Sequence, residues 1–212
     1  MMEVAVFTFN GFAENTYVLY DSTKSCIVVD PGCNSKEEED LLVDFIETNG
    51  LKPVKLVNTH CHIDHILGNH FVAEKYGLEL IAHRGEIPVL AAGKMTSDMY
   101  AIKYIPSPEI TSFLEEGDKL SFGDTHMEVL FTPGHSPASI SFFHAETKQL
   151  IAGDVLFDGS IGRTDLPGGD YDTLIANIKN KFFPLGDDVV VYPGHGPHTT
   201  IGKEKKLNPF LQ

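Results

Sequence analysis

Short apolar runs rich in β-branched residues recur along the chain: EVAVFTF (3–9), TYVLYD (16–21), SCIVVD (25–30), VKLVNT (54–59), LELIAH (78–83), HMEVLFT (126–132), SISFFHA (139–145), QLIAGD (149–154) and DVVVYP (188–193). Their length and composition predict strands. Three segments have helical spacing instead. Ser35 to Thr48 places Leu41, Leu42, Phe45 and Ile46 on one face, Ile66 to Tyr76 stops at Gly77, and Tyr171 to Phe182 forms the third.

The strands fall into two clusters, 3–83 and 118–193, separated by an irregular stretch from Arg84 to Gly117 that contains Met95, Met99, Tyr100, Tyr104 and Pro106-Ser107-Pro108. Two similar halves with an insertion between them, each sheet covered by helices, give an α/β four-layer αββα sandwich. Ligands would gather on loops at the strand ends. The Met- and Tyr-rich 95–104 stretch either lines a substrate wall or packs on its own domain. The 212 residues are enough for one sizeable core, and the expectation is one domain over 1–212.

Composition narrows the function. A net charge of −14 leaves no basic surface for a phosphate backbone, so nucleic acid is not the expected partner. The acidic run Glu37-Glu38-Glu39-Asp40 reads as a solvated helix face. Cys26, Cys33 and Cys61 are odd in number and widely spaced, which fits neither a disulfide framework nor a zinc ribbon and points to a reducing compartment. The N-terminal MMEVAVFTFNGF has no basic region followed by a long apolar one, and no stretch has the length of a membrane span. The expected location is the cytoplasm.

Candidate chemistry concentrates in NTHCHIDHILGN (58–69). A HxHxDH pattern is expected by chance in only about one such chain in a thousand. With the backbone extended, His60 and His62 point one way and Cys61 the other, so the two imidazoles share an ion and the thiol does not. Asp64 and His65 fall where a helix begins and can aim at a second ion. Further donors appear at strand ends in the second half: His135 after TPG, Asp154 ending QLIAGD, and His195 after YPG. Seven donors suit two borderline metal ions in open coordination rather than one closed structural zinc. Asp30, ending IVVD, is a candidate to accept the free ring N–H of a ligating histidine. His70, His83, His126, His144 and His198 lie outside the pattern.

THCHIDH, TPGH, GD and PGHG, in this order, resemble the metallo-β-lactamase fold hydrolases over almost the whole chain. ENTYVLYD, IVVDPG, GDVLFDGSIGRTDLPGGD and GHGPHTTIGKEKKLNPFL look closest to glyoxalase II and its short bacterial relatives. The resemblance implies His60, His62 and His135 on one metal, Asp64, His65 and His195 on a second, and Asp154 between them. The ions would be Zn²⁺, with Fe or Mn²⁺ as alternatives. The implied reaction is hydrolysis of a small-molecule thioester such as S-D-lactoylglutathione by a metal-bridging hydroxide, which Asp64 would help to orient. Arg163, Thr164 and Asp165 would brace the metal loop.

Longer glyoxalase II enzymes recognise glutathione through a C-terminal helical region. This chain ends 17 residues after His195, so that separate domain is expected to be absent. Lys203, Lys205 and Lys206 are then either cations for an anionic substrate or solvated surface. Persulfide dioxygenases share THCHxDH and a GRTD segment but use one iron held by two His and one Asp. A non-catalytic metal-binding module is the other alternative. Flavodiiron relatives carry Glu where this chain has His62, and nuclease relatives add basic surfaces not found here.

Overall fold

A computed structural model describes all 212 residues. The first sheet is built from β1 (Glu3–Phe9), β2 (Glu14–Tyr20), β3 (Ser25–Val29), β4 (Lys52–Val57), β5 (Leu80–Ala82) and β6 (Ile110–Phe113), in that spatial order. β1 to β3 pair antiparallel, whereas β3 to β6 pair parallel across helical connections. These connections hold α1 (Lys36–Thr48), α2 (Ile63–Ile66), α3 (Asn69–Tyr76), α4 (Ile87–Ala91) and α5 (Gly93–Met99). The second sheet comprises β7 (Lys119–Phe122), β8 (Thr125–Phe131), β9 (Ile140–His144), β10 (Gln149–Gly153), β13 (Val190–Pro193) and β14 (Thr199–Thr200). A small ribbon of β11 (Leu156–Phe157) and β12 (Ser160–Ile161) follows β10, and α6 (Tyr171–Asn177) and α7 (Ile201–Leu207) lie in the second half.

Strand alternation divides the apolar residues among three cores, and three cores separate four layers. Tyr17, Leu19, Ile27 and Val29 face Met127, Val129, Phe142 and Ile151 between the sheets. Their neighbours Val18, Cys26 and Val28 point the other way, onto Leu42 and Ile46 of α1 and Val72 of α3. On the far side, Leu150, Ala152 and Val191 meet Leu174 of α6 together with Ile178 and Phe182. Strands buried on both faces lose their polar alternation, which is why SCIVV reads as a continuous apolar run. The αββα architecture expected from the pattern is the one observed.

The helices begin and end as their caps dictate. Ser35 accepts from the Glu38 amide at 3.2 Å, with three acidic residues in the first turn of α1. Gly77 closes α3 at φ 66°, a left-handed conformation that costs glycine little. The segment expected as one helix from Ile66 is split, because the chain breaks at Leu67-Gly68 between α2 and α3. The Tyr171 to Phe182 helix widens into a π turn after Asn177.

The 84–117 stretch departs most from expectation. It contains a 3-10 turn at Arg84–Glu86, α4, α5 and the sixth strand of the first sheet, so it completes that sheet rather than separating two halves. Four-residue ITSF is too short to show a period, and the prolines before it obscure its start. No helix in the fold is long and apolar enough to cross a membrane.

Candidate metal centre

The loops leaving β4, β8, β10 and β13 converge at one end of the sandwich and bring together all seven predicted donors. His60, His62 and His135 form one trio and Asp64, His65 and His195 a second, each with its donor atoms mutually within 4.8 Å. Asp154 stands between them. Its Oδ1 is 3.4 Å from His65 Nε2, and its Oδ2 is 3.4 Å from His135 Nε2 and 3.5 Å from His195 Nε2. Asp64 Oδ2 lies 3.0 Å from His195 Nε2. The premise behind the Cys61 expectation changes, because β4 ends at Val57 and His60-Cys61 follow it in irregular backbone. The outcome holds: His60 and His62 face His135, and Cys61 packs in the core between the first sheet and its helices.

The outer nitrogen of four of the imidazoles is anchored. His135 Nδ1 donates to the Arg163 carbonyl at 2.7 Å, and His195 Nδ1 to the Phe12 carbonyl at 3.1 Å. His65 Nδ1 lies 3.1 Å from Asp30 Oδ2, and His60 Nδ1 3.1 Å from Thr59 Oγ1, which itself donates to Asp30. An acceptor on Nδ1 fixes the tautomer and leaves Nε2 with its lone pair directed inward. Asp30 therefore sits behind two donors, in the place expected of it. It also accepts the Thr59 amide at 2.7 Å and adopts φ 49°, a conformation that a non-glycine residue holds only when its surroundings enforce it. The GRTD segment braces this site through the backbone carbonyl of Arg163, not through its guanidinium.

The inward-facing atoms fit a cationic group. His60 Nε2, His65 Nε2 and Asp154 Oδ1 are buried with no hydrogen-bond partner, and His62 Nδ1 faces His135 Nε2 at 2.9 Å. Orphaned buried donors and acceptors are costly unless something fills the space between them. At His60 and His62 the charge states agree. Burial, reinforced by neighbouring imidazoles, holds His60 well below its ordinary value and His62 at about 4, so both stay neutral. Burial opposes ionisation of Asp154, yet the facing His65, His135 and His195 hold its carboxyl below the usual range. Burial likewise opposes protonation of His65 and His195, yet the facing Asp64 and Asp154 carboxylates raise both above the ordinary histidine value. A divalent ion would displace their protons on binding to reach neutral imidazoles beside ionised carboxylates. A side chain at Gly194 would collide with Asp154 Oδ1, so the second PGH turn needs its glycine for close approach.

Two buried glutamates were not legible as site residues. Glu86 has no exposed surface; its carboxylate accepts the Cys61 amide at 2.8 Å, the Ala138 amide at 2.9 Å and the Ser136 hydroxyl. It ties the loop carrying His60 and His62 to the loop carrying His135. Burial raises its pKa against those three bonds. Glu14 lies beneath His65, with Oε1 3.8 Å from Nδ1 and Oε2 accepting from Thr16. Only a carboxylate opening the strand ENTYVLY hinted at the second. Nothing in RGEIPVL distinguished the first.

A metallo-beta-lactamase superfamily model matches residues 10–195, most of the chain and every donor described above. The chain belongs to the metallo-beta-lactamase superfamily. A superfamily relative from Haemophilus influenzae, the hydroxyacylglutathione hydrolase GloC, is 35% identical over 223 residues, covering 99% of this chain and 98% of its own. Among solved structures, BLEG-1 B3 metallo-beta-lactamase superposes with a TM-score of 0.90 at 34% identity, covering all of both chains. TTHA1623 in a di-iron-bound form gives 0.88 at 34% identity, covering 98% of this chain and 100% of the other. Membership in this superfamily, with its clustered His and Asp donors, makes the chain a metal-dependent hydrolase that takes divalent ions.

Proposed function

We propose that the chain hydrolyses thioesters at a centre of two divalent ions, probed first as Zn²⁺ with Fe and Mn²⁺ as alternatives. The carrying observation is Asp154, whose two oxygens reach donors of both trios while its Oδ1 accepts no hydrogen bond. The 35% identity to a hydroxyacylglutathione hydrolase supports the thioester class, which includes S-D-lactoylglutathione. In this reading His60, His62 and His135 would hold one ion and Asp64, His65 and His195 the other, with Asp154 available to either.

When bound, such a pair supplies Lewis acidity that ionises water near neutral pH and polarises a carbonyl. The protein supplies orientation. Anchored Nδ1 atoms keep the imidazoles from rotating, and Asp64, at the edge of the cluster with 15% of its side chain exposed, is placed to orient an attacking water. Lys203 and Lys205 pair with Asp158 and Asp187, Lys206 is exposed, and none of the three lines the pocket beside the donors, which supports solvated surface over substrate cations. Cys26, Cys33 and Cys61 are unpaired and buried, and a cytoplasmic location suits them.

Metal analysis of the purified protein, run beside thioesterase and oxygen-uptake assays, tests the reading. Two metals per chain with thioester turnover are expected. One tightly held iron with oxygen consumption on a glutathione persulfide would overturn it in favour of a dioxygenase. A fully loaded protein inert on all acyl thioesters would leave a binding module.

A further inference from the structure

Beside the donors lies a pocket of about 800 Å³, within the range that holds a drug-sized ligand. One wall is the donor cluster itself; the others are the α4–α5 segment and residues 157–168. α4 buries none of its residues, and α5 buries only Gly93 and Ser97. Val89 and Leu90 pack against the core, whereas Met95, Met99 and Tyr100 are left to the pocket and its rim. Met95, Met99 and Tyr100 all line the pocket, yet they are 64%, 77% and 52% exposed. Phe12 faces Tyr100 edge-on at 5.5 Å, and its own carbonyl holds His195, so the apolar wall reaches the donor cluster without a gap. An apolar rim on a cleft is costly in water and marks a surface that a ligand covers, and methionine adapts to irregular hydrocarbon shapes.

The charge of the pocket points the same way. Arg163 is its single cation, and both its Nε and its Nη2 are committed to Asp165 at 2.7 Å. Glutathione carries two carboxylates that would need partners away from the metal centre, and the rest of the lining offers no other Lys or Arg.

We propose that this pocket selects thioesters bearing a bulky hydrocarbon arm, on the acyl or the thiol side, rather than the small polar arms of S-D-lactoylglutathione. The proposal rests on the thioester-hydrolase reading and narrows its substrate class. Each methylene that enters the pocket should raise kcat/KM by about fourfold until the space is filled.

The test uses the metal-loaded protein and two series: acetyl to hexanoyl thioesters of N-acetylcysteamine, and S-methyl to S-hexyl thioacetates. At least one series should rise by tenfold or more, and glutathione as carrier should give no advantage over N-acetylcysteamine for the same acyl group. In the double variant Met95→Ser, Met99→Ser, with metal content unchanged, that rise should collapse. Turnover that is flat or falling with arm length in both series, or a preference for the glutathione carrier, overturns the proposal while leaving the thioesterase reading intact. Absence of any thioester turnover overturns the thioesterase reading instead. The pocket is then judged by calorimetric binding of the S-hexyl and S-methyl thioethers of N-acetylcysteamine. Tighter binding of the hexyl compound by tenfold or more upholds the apolar arm, and equal or absent binding refutes it.

Discussion

The two halves of the sandwich contribute donors in opposite ways. The first half delivers four, His60, His62, Asp64 and His65, from six consecutive residues after β4. The second delivers three, His135, Asp154 and His195, each alone at the end of a different strand. A dense loop fixes the relative placement of its donors locally, whereas solitary donors depend on the sheet that spaces them. Yet the solitary Asp154 is the one that touches both trios. Density in the sequence is thus no measure of centrality in the site.

The comparison is broken most severely at Asp154. Asp154→Ala should lower thioesterase activity by at least about a thousandfold and reduce bound metal at both trios, whereas His60→Ala should strip the first trio and leave metal on Asp64, His65 and His195. Metal stoichiometry after dialysis separates the two; equal loss in both variants would refute the central role of Asp154.

Glu86→Gln tests whether the halves are stitched together. It leaves every donor in place but disturbs the link between the Cys61 and Ala138 amides, so metal affinity of the first trio should fall roughly 10- to 100-fold with the second trio spared. Chelator competition resolves the two sites, and uniform weakening of both would mean that Glu86 supports only the fold.

Acid stability sharpens the comparison within the first trio. In the chelator-stripped protein His62 titrates at about 4, against roughly 6.5 in an unfolded chain. As pH falls through that window, the unfolded state gains a proton that the folded state refuses, so the contribution present above about 6.5 is lost on the way to 4. The loss amounts to at most ~1.4 kcal/mol per pH unit. His62→Gln should flatten that part of the acid limb in denaturant melts. An unchanged limb would argue against a neutral, half-buried His62.

The smallest effect is expected at Cys61. Cys61→Ser places a hydroxyl in the core, which should cost about 1–3 kcal/mol of stability, while metal content and most activity persist. A metal-free Cys61→Ser protein that remains folded would put the thiol back among the ligands.

Several features were legible before any coordinates. HxHxDH announced metal chemistry because that many imidazoles in six residues have few other uses, and the repeated strand-Pro-Gly-His pattern marked His135 and His195 as loop-end residues. Two clusters of short apolar runs with helical segments among them indicated two helix-covered sheets and hence the layers. Glu86 was invisible because its role consists of three hydrogen bonds to residues 25 to 52 positions away. β6 was invisible because four residues carry no usable period.

The sequence by itself therefore determined the chemistry of the donors and the layering, since residue type and local periodicity are properties of neighbours along the chain. Tertiary structure alone decided that Asp154 touches both trios, that Glu86 joins two loops, and that Met95, Met99 and Tyr100 form a wall. Each of these is a distance between residues far apart in sequence, set by how two twisted sheets stack and where their loops meet.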